Sequence, residues 1–344
     1  MIGYNRGVMR PVSRLIILLC LLISSSCSKT QSTVTVGIER TSASPTPPLP
    51  APTAANTVAF PSPIVESPEK IATVTSPSIL VSALATATST TSPTLSPDEW
   101  QNLPILPQPT DRIREIYQLG VQLGNNPQAF SKIGDCGSTP AWFLGDFDRG
   151  PQYYKLGDHQ DLIPVIEAFQ GSFARTSLAA KSGFNASSVF SALWSDRDLC
   201  QPDETPLACE FRQQRPVIAF IMLGSNDVYH IDSFEDQMRK IIEFSLDNGI
   251  IPILSTKADN LEENHSINYT IARLAQEYQI PLINYWRAVQ ILPSKGLQED
   301  DVHITWGPNR FDDKQVMRAG WPVRNLTSLQ ALDIVWRAAT SHTP

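Results

Sequence analysis

Three observations predict a doubly wound α/β fold, a three-layer α/β/α sandwich around a mainly parallel sheet. First, the continuous apolar runs Pro216-Val-Ile-Ala-Phe-Ile-Met-Leu223, Ile250-Ile-Pro-Ile-Leu254 and Ile280-Pro-Leu-Ile283 have the character of strands buried on both faces. Second, segments of helical periodicity alternate with them. Phe234–Asn248 carries Met238, Ile241, Ile242 and Phe244–Leu246 on one side, and Ile267–Tyr278 carries Ile271, Leu274 and Ala275. Third, short glycine-bearing polar motifs follow the runs directly, and open α/β sheets place their sites beyond the carboxyl ends of the strands.

The remaining elements follow from the N-terminus. The length of 344 residues suggests about two domains, but the composition is uneven. Residues 31–97 are rich in Ser, Thr and Pro and hold one aromatic, Phe60. Such a segment buries too little apolar surface to offset its ordering entropy, so 28–97 is expected to be a disordered linker and 98–344 the one folded domain. Ahead of it, Arg6, Arg10 and Arg14 precede the apolar core at residues 15–23, then Ser24-Ser-Ser-Cys27. That core is too short to span a bilayer, which takes about 20 residues, and it reads as an export signal over 1–27. Small residues before Cys27 resemble a bacterial lipobox, although Ser24 stands where leucine is usual. A lipid-anchored chain, a plainly secreted one and one with an uncleaved anchor all remain open; the first two place the domain outside the cytoplasm.

Within the folded part, a helix is expected over Arg112–Leu123, a strand over Ala129–Ile133, a further strand over Ser172–Ala180 and a last helix over Leu326–Ala339. Cys200 and Cys209 flank a polar stretch; in an oxidising compartment a disulfide closing that loop is expected, the alternative being two unpaired thiols. The formal net charge is −7 and no basic run of five residues occurs, which argues against a nucleic-acid partner. No histidine pair has metal-ligand spacing, so neither metal nor cofactor is expected.

Four motifs fall after the expected strands. Gly134-Asp135-Cys136 follows the first, Gly183 the second, Gly224-Ser225-Asn226-Asp227 the central run, and Asp300-Asp301-Val302-His303 a loop after the last. Their order and spacing, over roughly 128–340, resemble the SGNH (GDSL-type) hydrolase superfamily. The resemblance implies a flavodoxin-like sheet and an esterase or acyl hydrolase acting on a small-molecule or glycan ester, as a monomer that meets the membrane only through its anchor. It also implies the roles. His303 is the candidate general base, Asp300 orients its ring, and Asn226 with the backbone N–H groups of Gly183 and Cys136 forms the oxyanion hole.

Cys136 departs from the family, whose nucleophile is serine. Three readings stand open. Cys136 is a thiolate nucleophile, activated by His303 and by a following helix N-terminus; the domain is a noncatalytic cell-surface binding module; or Ser138 attacks instead. Asp135, Asp227 and Lys257 also lie at strand ends and can line the pocket. Trp142, Trp194, Trp286 and Trp306 are candidates for an aromatic wall, Trp306 foremost for its place three residues after His303, with core packing as the ordinary alternative.

Overall fold

A computed structural model describes residues 95–340. The signal segment, Cys27 and nearly all of the linker lie outside the described residues. Seven helices and six strands follow one another in chain order among the described residues: α1 (Asp111–Gln122), β1 (Asn126–Gly134), β2 (Tyr154–Lys155), α2 (Ile163–Ala168), α3 (Pro206–Gln214), β3 (Pro216–Met222), α4 (Ile231–Asp247), β4 (Ile251–Ser255), α5 (Ser266–Glu277), β5 (Leu282–Ile283), α6 (Tyr285–Val289), β6 (Asn309–Arg310) and α7 (Gly320–Thr340).

The main sheet runs β1-β3-β4-β5, every pair parallel. β3 is buried along its whole length, as its unbroken apolar run requires. Helices cover it by their periodic faces. Ile113, Ile116 and Gly120 are the buried positions of α1, and Phe234, Met238, Ile241, Ile242 and Ser245 those of α4. Gly120 is required by close approach, since a Cβ there would collide with the Gly249 carbonyl. β2 and β6 form a separate two-stranded pair.

The outer edge of β1 differs from expectation. Ser172–Ala180 does not form a strand. Only Ala180 pairs with β1, in a parallel bridge to Gly134. Side chains satisfy the groups a longer strand would have paired. Ser172 Oγ accepts the Phe130 N–H at 3.2 Å, and Arg175 Nη2 donates to the Phe130 carbonyl at 3.1 Å. Asp148 accepts from the N–H groups of Gly171 and Ala174, and Glu210 from Leu178. These backbone groups have partners without a ladder.

With Ala180 counted as the second element, the order is 2-1-3-4-5, the flavodoxin-like arrangement. The direction of winding reverses between β1 and β3. Gly134 pairs in register with Met222, and Ile221 with Leu254, so these strand ends are nearly level. Whatever follows Gly134 and Met222 emerges at the switch point, where doubly wound sheets bind their ligands.

Candidate active site

The first block begins where β1 ends. Asp135 leaves Gly134 in an extended conformation, and its Oδ1 accepts the Gly137 N–H at 2.8 Å. This closes a single 3-10 turn, Cys136–Ser138. Cys136 carries a thiol and is half-buried. No helix follows it: the turn ends at Thr139, in extended conformation. The expected helix N-terminus is therefore not there to act on the sulfur. Ser138 is fully buried, and a Cβ on Gly134 would collide with its Oγ. That hydroxyl packs back onto the end of β1, which removes Ser138 as an attacking group.

The second and third blocks are stapled together. Gly183 is exposed at φ +82°, with open space where a Cβ would project; only glycine holds this conformation without strain. Asn226 lies in the 3-10 turn Ser225–Tyr229, and its Nδ2 donates to the Phe184 carbonyl at 2.9 Å. An amide nitrogen carries two N–H bonds, so one stays available for a substrate oxygen. Asp227 Oδ1 accepts the Ala186 N–H at 2.8 Å. Burial pushes the Asp227 carboxyl up to about 6, against the N–H bonds of Ala186 and Gly224. Asp227 thus fastens the Gly183 segment to the end of β3 rather than lining open space.

Lys257 also differs from expectation. Its Nζ is buried between Asp259 Oδ1 at 2.6 Å and Glu262 Oε2 at 2.5 Å, while Ser225 Oγ donates to Asp259 Oδ2 at 2.6 Å. The aliphatic stem of Lys257 packs beneath Gly224, where a Cβ would come within 3.2 Å of Lys257 Cδ. The group braces the Asn226 turn from below.

The fourth block sits on a loop fixed at both ends. Gln298 N–H bonds the His303 carbonyl at 2.8 Å, and Thr305 Oγ1 donates to Gly296 while accepting the Gly320 N–H. Asp300 accepts the His303 N–H at 2.9 Å through Oδ1, and its Oδ2 meets His303 Nδ1 at 2.6 Å. Burial pushes the Asp300 carboxyl up, but the bonds from the His303 ring and from the N–H groups of His303 and Val302 outweigh it and hold it below the usual carboxylate range. With Nδ1 engaged, Nε2 is the nitrogen left to exchange a proton. The His303 side chain is 43% exposed, so the ring is open to solvent.

His303 lies near enough for its charge to act on Asp135. Burial pushes the Asp135 carboxyl up, and Arg324 and His303 oppose that. Arg324, from α7, is the residue that sequence reasoning missed. One guanidinium nitrogen lies 3.1 Å and Asp135 Oδ1 3.0 Å from the point a Gly137 Cβ would occupy. Its charge is felt by Asp135, Cys136 and Asp259 alike. No sequence signal marked it, because Trp321-Pro-Val-Arg324 reads as an ordinary helix start.

The aromatic wall is also placed differently. Trp142 stacks on Trp321 at 5.7 Å between ring centroids, and Trp321 lies beside Gly137. Trp194 meets Phe184 edge-on, with Lys181 Nζ 5.6 Å from its ring. Trp306 is 66% exposed, whereas Trp286 packs on buried Trp100 away from these blocks. The expected disulfide joins Cys200 and Cys209. These two sulfurs and Glu204 form the one His/Cys/Asp/Glu cluster of metal-ligand dimensions among the described residues, and the bond consumes both thiols. A cleft of about 630 Å³ lined by Leu123, Phe211, Arg215 and Asn248 lies at the opposite, amino-terminal edge of the sheet and holds none of the candidate residues.

An oxyanion role for Asn226 would have a direct consequence. Asn226→Ala is expected to reduce ester turnover about 10²–10³-fold with a smaller change in KM, since such a donor acts mainly on the transition state. Steady-state kinetics on an aryl acetate read this, and an unchanged kcat would exclude the role.

No family model and no curated protein matches the chain. Among solved structures, it is similar to a GDSL-like lipase from Bacteroides thetaiotaomicron, with 16% identity, a TM-score of 0.36, and coverage of 64% of this chain and 98% of the other. It is also similar to a catalytic mutant of an acetylxylan esterase from Geobacillus stearothermophilus, with 16% identity, a TM-score of 0.40, and coverage of 62% and 97%. Likenesses at this level assign no residue role and no activity to this chain.

Proposed function

We propose that the domain is an SGNH-like ester or acyl hydrolase that works outside the cytoplasm, with Cys136 as nucleophile, His303 as base, Asp300 orienting it, and Gly183, Asn226 and the Cys136 N–H receiving the oxyanion. The observation that carries this reading is the Asp300–His303 pair: Nδ1 is held at 2.6 Å by a carboxylate while the ring stays open. A buried structural histidine would need neither the exposure nor the carboxylate.

The steps follow from these groups. As sulfur attacks the ester carbonyl carbon, its proton passes to His303 Nε2 and the carbonyl electron pair moves onto oxygen. The adduct collapses with cleavage of the C–O bond, and His303 passes a proton to the departing alcohol. Water, deprotonated by His303, then cleaves the thioester and releases the acid. The export signal, the linker and a lipid on Cys27 would hold the domain away from a membrane surface, consistent with a substituted glycan or a small ester as substrate. Among the described residues no helix is long and apolar enough to cross a membrane.

The test is the intermediate. On acid quenching during turnover of an aryl acetate, mass spectrometry of the full chain is expected to find one acetyl group on the Cys136 peptide, removable by neutral hydroxylamine. An acetyl group on no residue, together with no turnover, favours the binding module.

A further inference from the structure

We propose that the ligand of this site is an acylated, uncharged polysaccharide, whose sugar rings lie on exposed tryptophan rings at the two sides of the strand ends, Trp142 on one and Trp194 on the other. The inference rests on the hydrolase reading for the bond that is cut. The hold on the chain rests on the rings and is tested without turnover.

Each of these rings is one aromatic layer removed from a candidate catalytic block. Trp142 is stacked on Trp321, with 5.7 Å between centroids and 22° between planes. Trp321 in turn comes within 3.7 Å of the point a Gly137 Cβ would occupy, on the turn that carries Cys136. The Arg324 guanidinium carbon sits 5.2 Å from the Trp321 centroid, which fixes that inner ring in place. On the other side Trp194 meets Phe184 edge-on at 6.3 Å. Phe184 follows Gly183, and its carbonyl is the one that Asn226 Nδ2 bonds at 2.9 Å. The inner rings, Trp321 and Phe184, are buried, whereas Trp142 and Trp194 keep 36% and 49% of their surface exposed. Tyr229, closing the Asn226 turn, and Trp306, three residues after His303, are exposed as well.

The two supported rings belong to different helical layers. Trp321 lies at the start of α7, which packs along α1. Trp194 ends a segment anchored on the other layer: Phe190 meets Phe244 of α4 edge-on at 6.3 Å, and Phe244 stacks on Phe211 of α3. The ends of β1 and β3, which lead to Cys136 and Asn226, emerge between these layers. A small ester needs neither ring, while a chain of sugar units running across the strand ends meets both.

The chemistry of the rings selects the ligand. A pyranose presents a face of C–H bonds and an edge of hydroxyls. The C–H face desolvates an indole ring, and the hydroxyls need polar partners beside it. Lys181 Nζ, 5.6 Å from the Trp194 ring, is such a partner. Charge selects further. The chain carries a formal net charge of −7, and Glu299, Asp300 and Asp301 are exposed just before His303. That field disfavours an anionic polymer and an anionic lipid surface.

The experiment is affinity electrophoresis of the full chain carrying Cys136→Ala, in native gels containing partially O-acetylated cellulose or partially O-acetylated mannan. Retardation is expected. Trp142→Ala and Trp194→Ala, each added to that chain, are expected to weaken the affinity about two- to tenfold, and together by about the product of the two. Trp194→Phe is expected to restore most of its loss. Methyl 6-O-acetylglucoside at the same acetyl concentration is expected not to compete. Absence of retardation by both polymers overturns the proposal, as does retardation that survives intact in the double tryptophan variant. Full competition by the monomer overturns it too, since one pocket would then suffice. Sedimentation with phosphatidylcholine vesicles in place of retardation would give the rings to a lipid surface and overturn it equally. Trp142 is stacked on Trp321, so if Trp142→Ala fails to fold, Trp194→Ala decides. A wild-type chain that is retarded yet releases no acetate from either polymer would defeat the hydrolase reading and leave the polysaccharide site standing.

Discussion

Cys136→Ala and His303→Ala are each expected to lower acetyl-ester turnover by about three orders of magnitude or more, and the double variant by no more than the worse single one. In the proposed mechanism nucleophile and base act as one unit, so removing either abolishes the route through the thioester, and the second removal has nothing left to take away. What survives comes from Gly183, Asn226 and binding. Asp300→Asn is expected to lose less, because Asp300 is about half exposed and water can replace part of what it does for the ring. The measurement is kcat/KM on an aryl acetate for the three single variants and the double. Losses that multiply across Cys136→Ala and His303→Ala would mean that the two groups act independently. Equal turnover in Cys136→Ala and wild type would remove Cys136 from the chemistry and assign the attack to another group.

The parts of this architecture that the sequence disclosed are those with a local cause. The apolar run at Pro216–Met222 is a central strand because every position is buried, and α4 shows its buried side at helical spacing. The Asp300–His303 pair was visible because three residues of spacing suffice to close it. What stayed hidden depends on distant partners. Ser172–Ala180 looked like a strand, but its backbone is satisfied by Asp148 and Glu210 and its neighbour Phe130 by Ser172 and Arg175; no local pattern announces that. Lys257 reads as a polar loop residue until Glu262 and Asp259 close around it. Arg324 reaches the switch point only because Gly320 meets Gly296 and Thr305, which set where α7 begins.

The wild-type domain is expected to gain stability with pH between about pH 7 and 10, and Lys132→Met to flatten that rise. Lys132 lies on β1 with no exposed surface, and its Nζ donates to the Phe173 carbonyl at 2.7 Å. Burial, with the nearby Arg175, pushes its ammonium down to about 7, and Glu210 and Asp148 only partly oppose this. The sign follows from proton counting. Between about 7 and the ordinary lysine value the unfolded chain binds the proton that the folded chain has lost, so unfolding becomes harder as pH rises through that window and the gain ends near pH 10. Each pH unit inside it contributes at most about 1.4 kcal/mol, so the whole effect is bounded at roughly 4–5 kcal/mol and shrinks with any relaxation that admits water. Methionine keeps much of the volume and removes the charge, leaving the Phe173 carbonyl short of a donor at a cost of about 1–3 kcal/mol. At pH 7 this loss and the relief of burying a cation nearly offset, and at pH 9.5 wild type is expected to be the more stable protein. Denaturant unfolding of both at pH 7 and 9.5 reads the difference directly, because other titrating groups contribute alike to each. Parallel curves would place the Lys132 ammonium in contact with water. A flat variant would locate the pH dependence at the Lys132–Phe173 contact on β1.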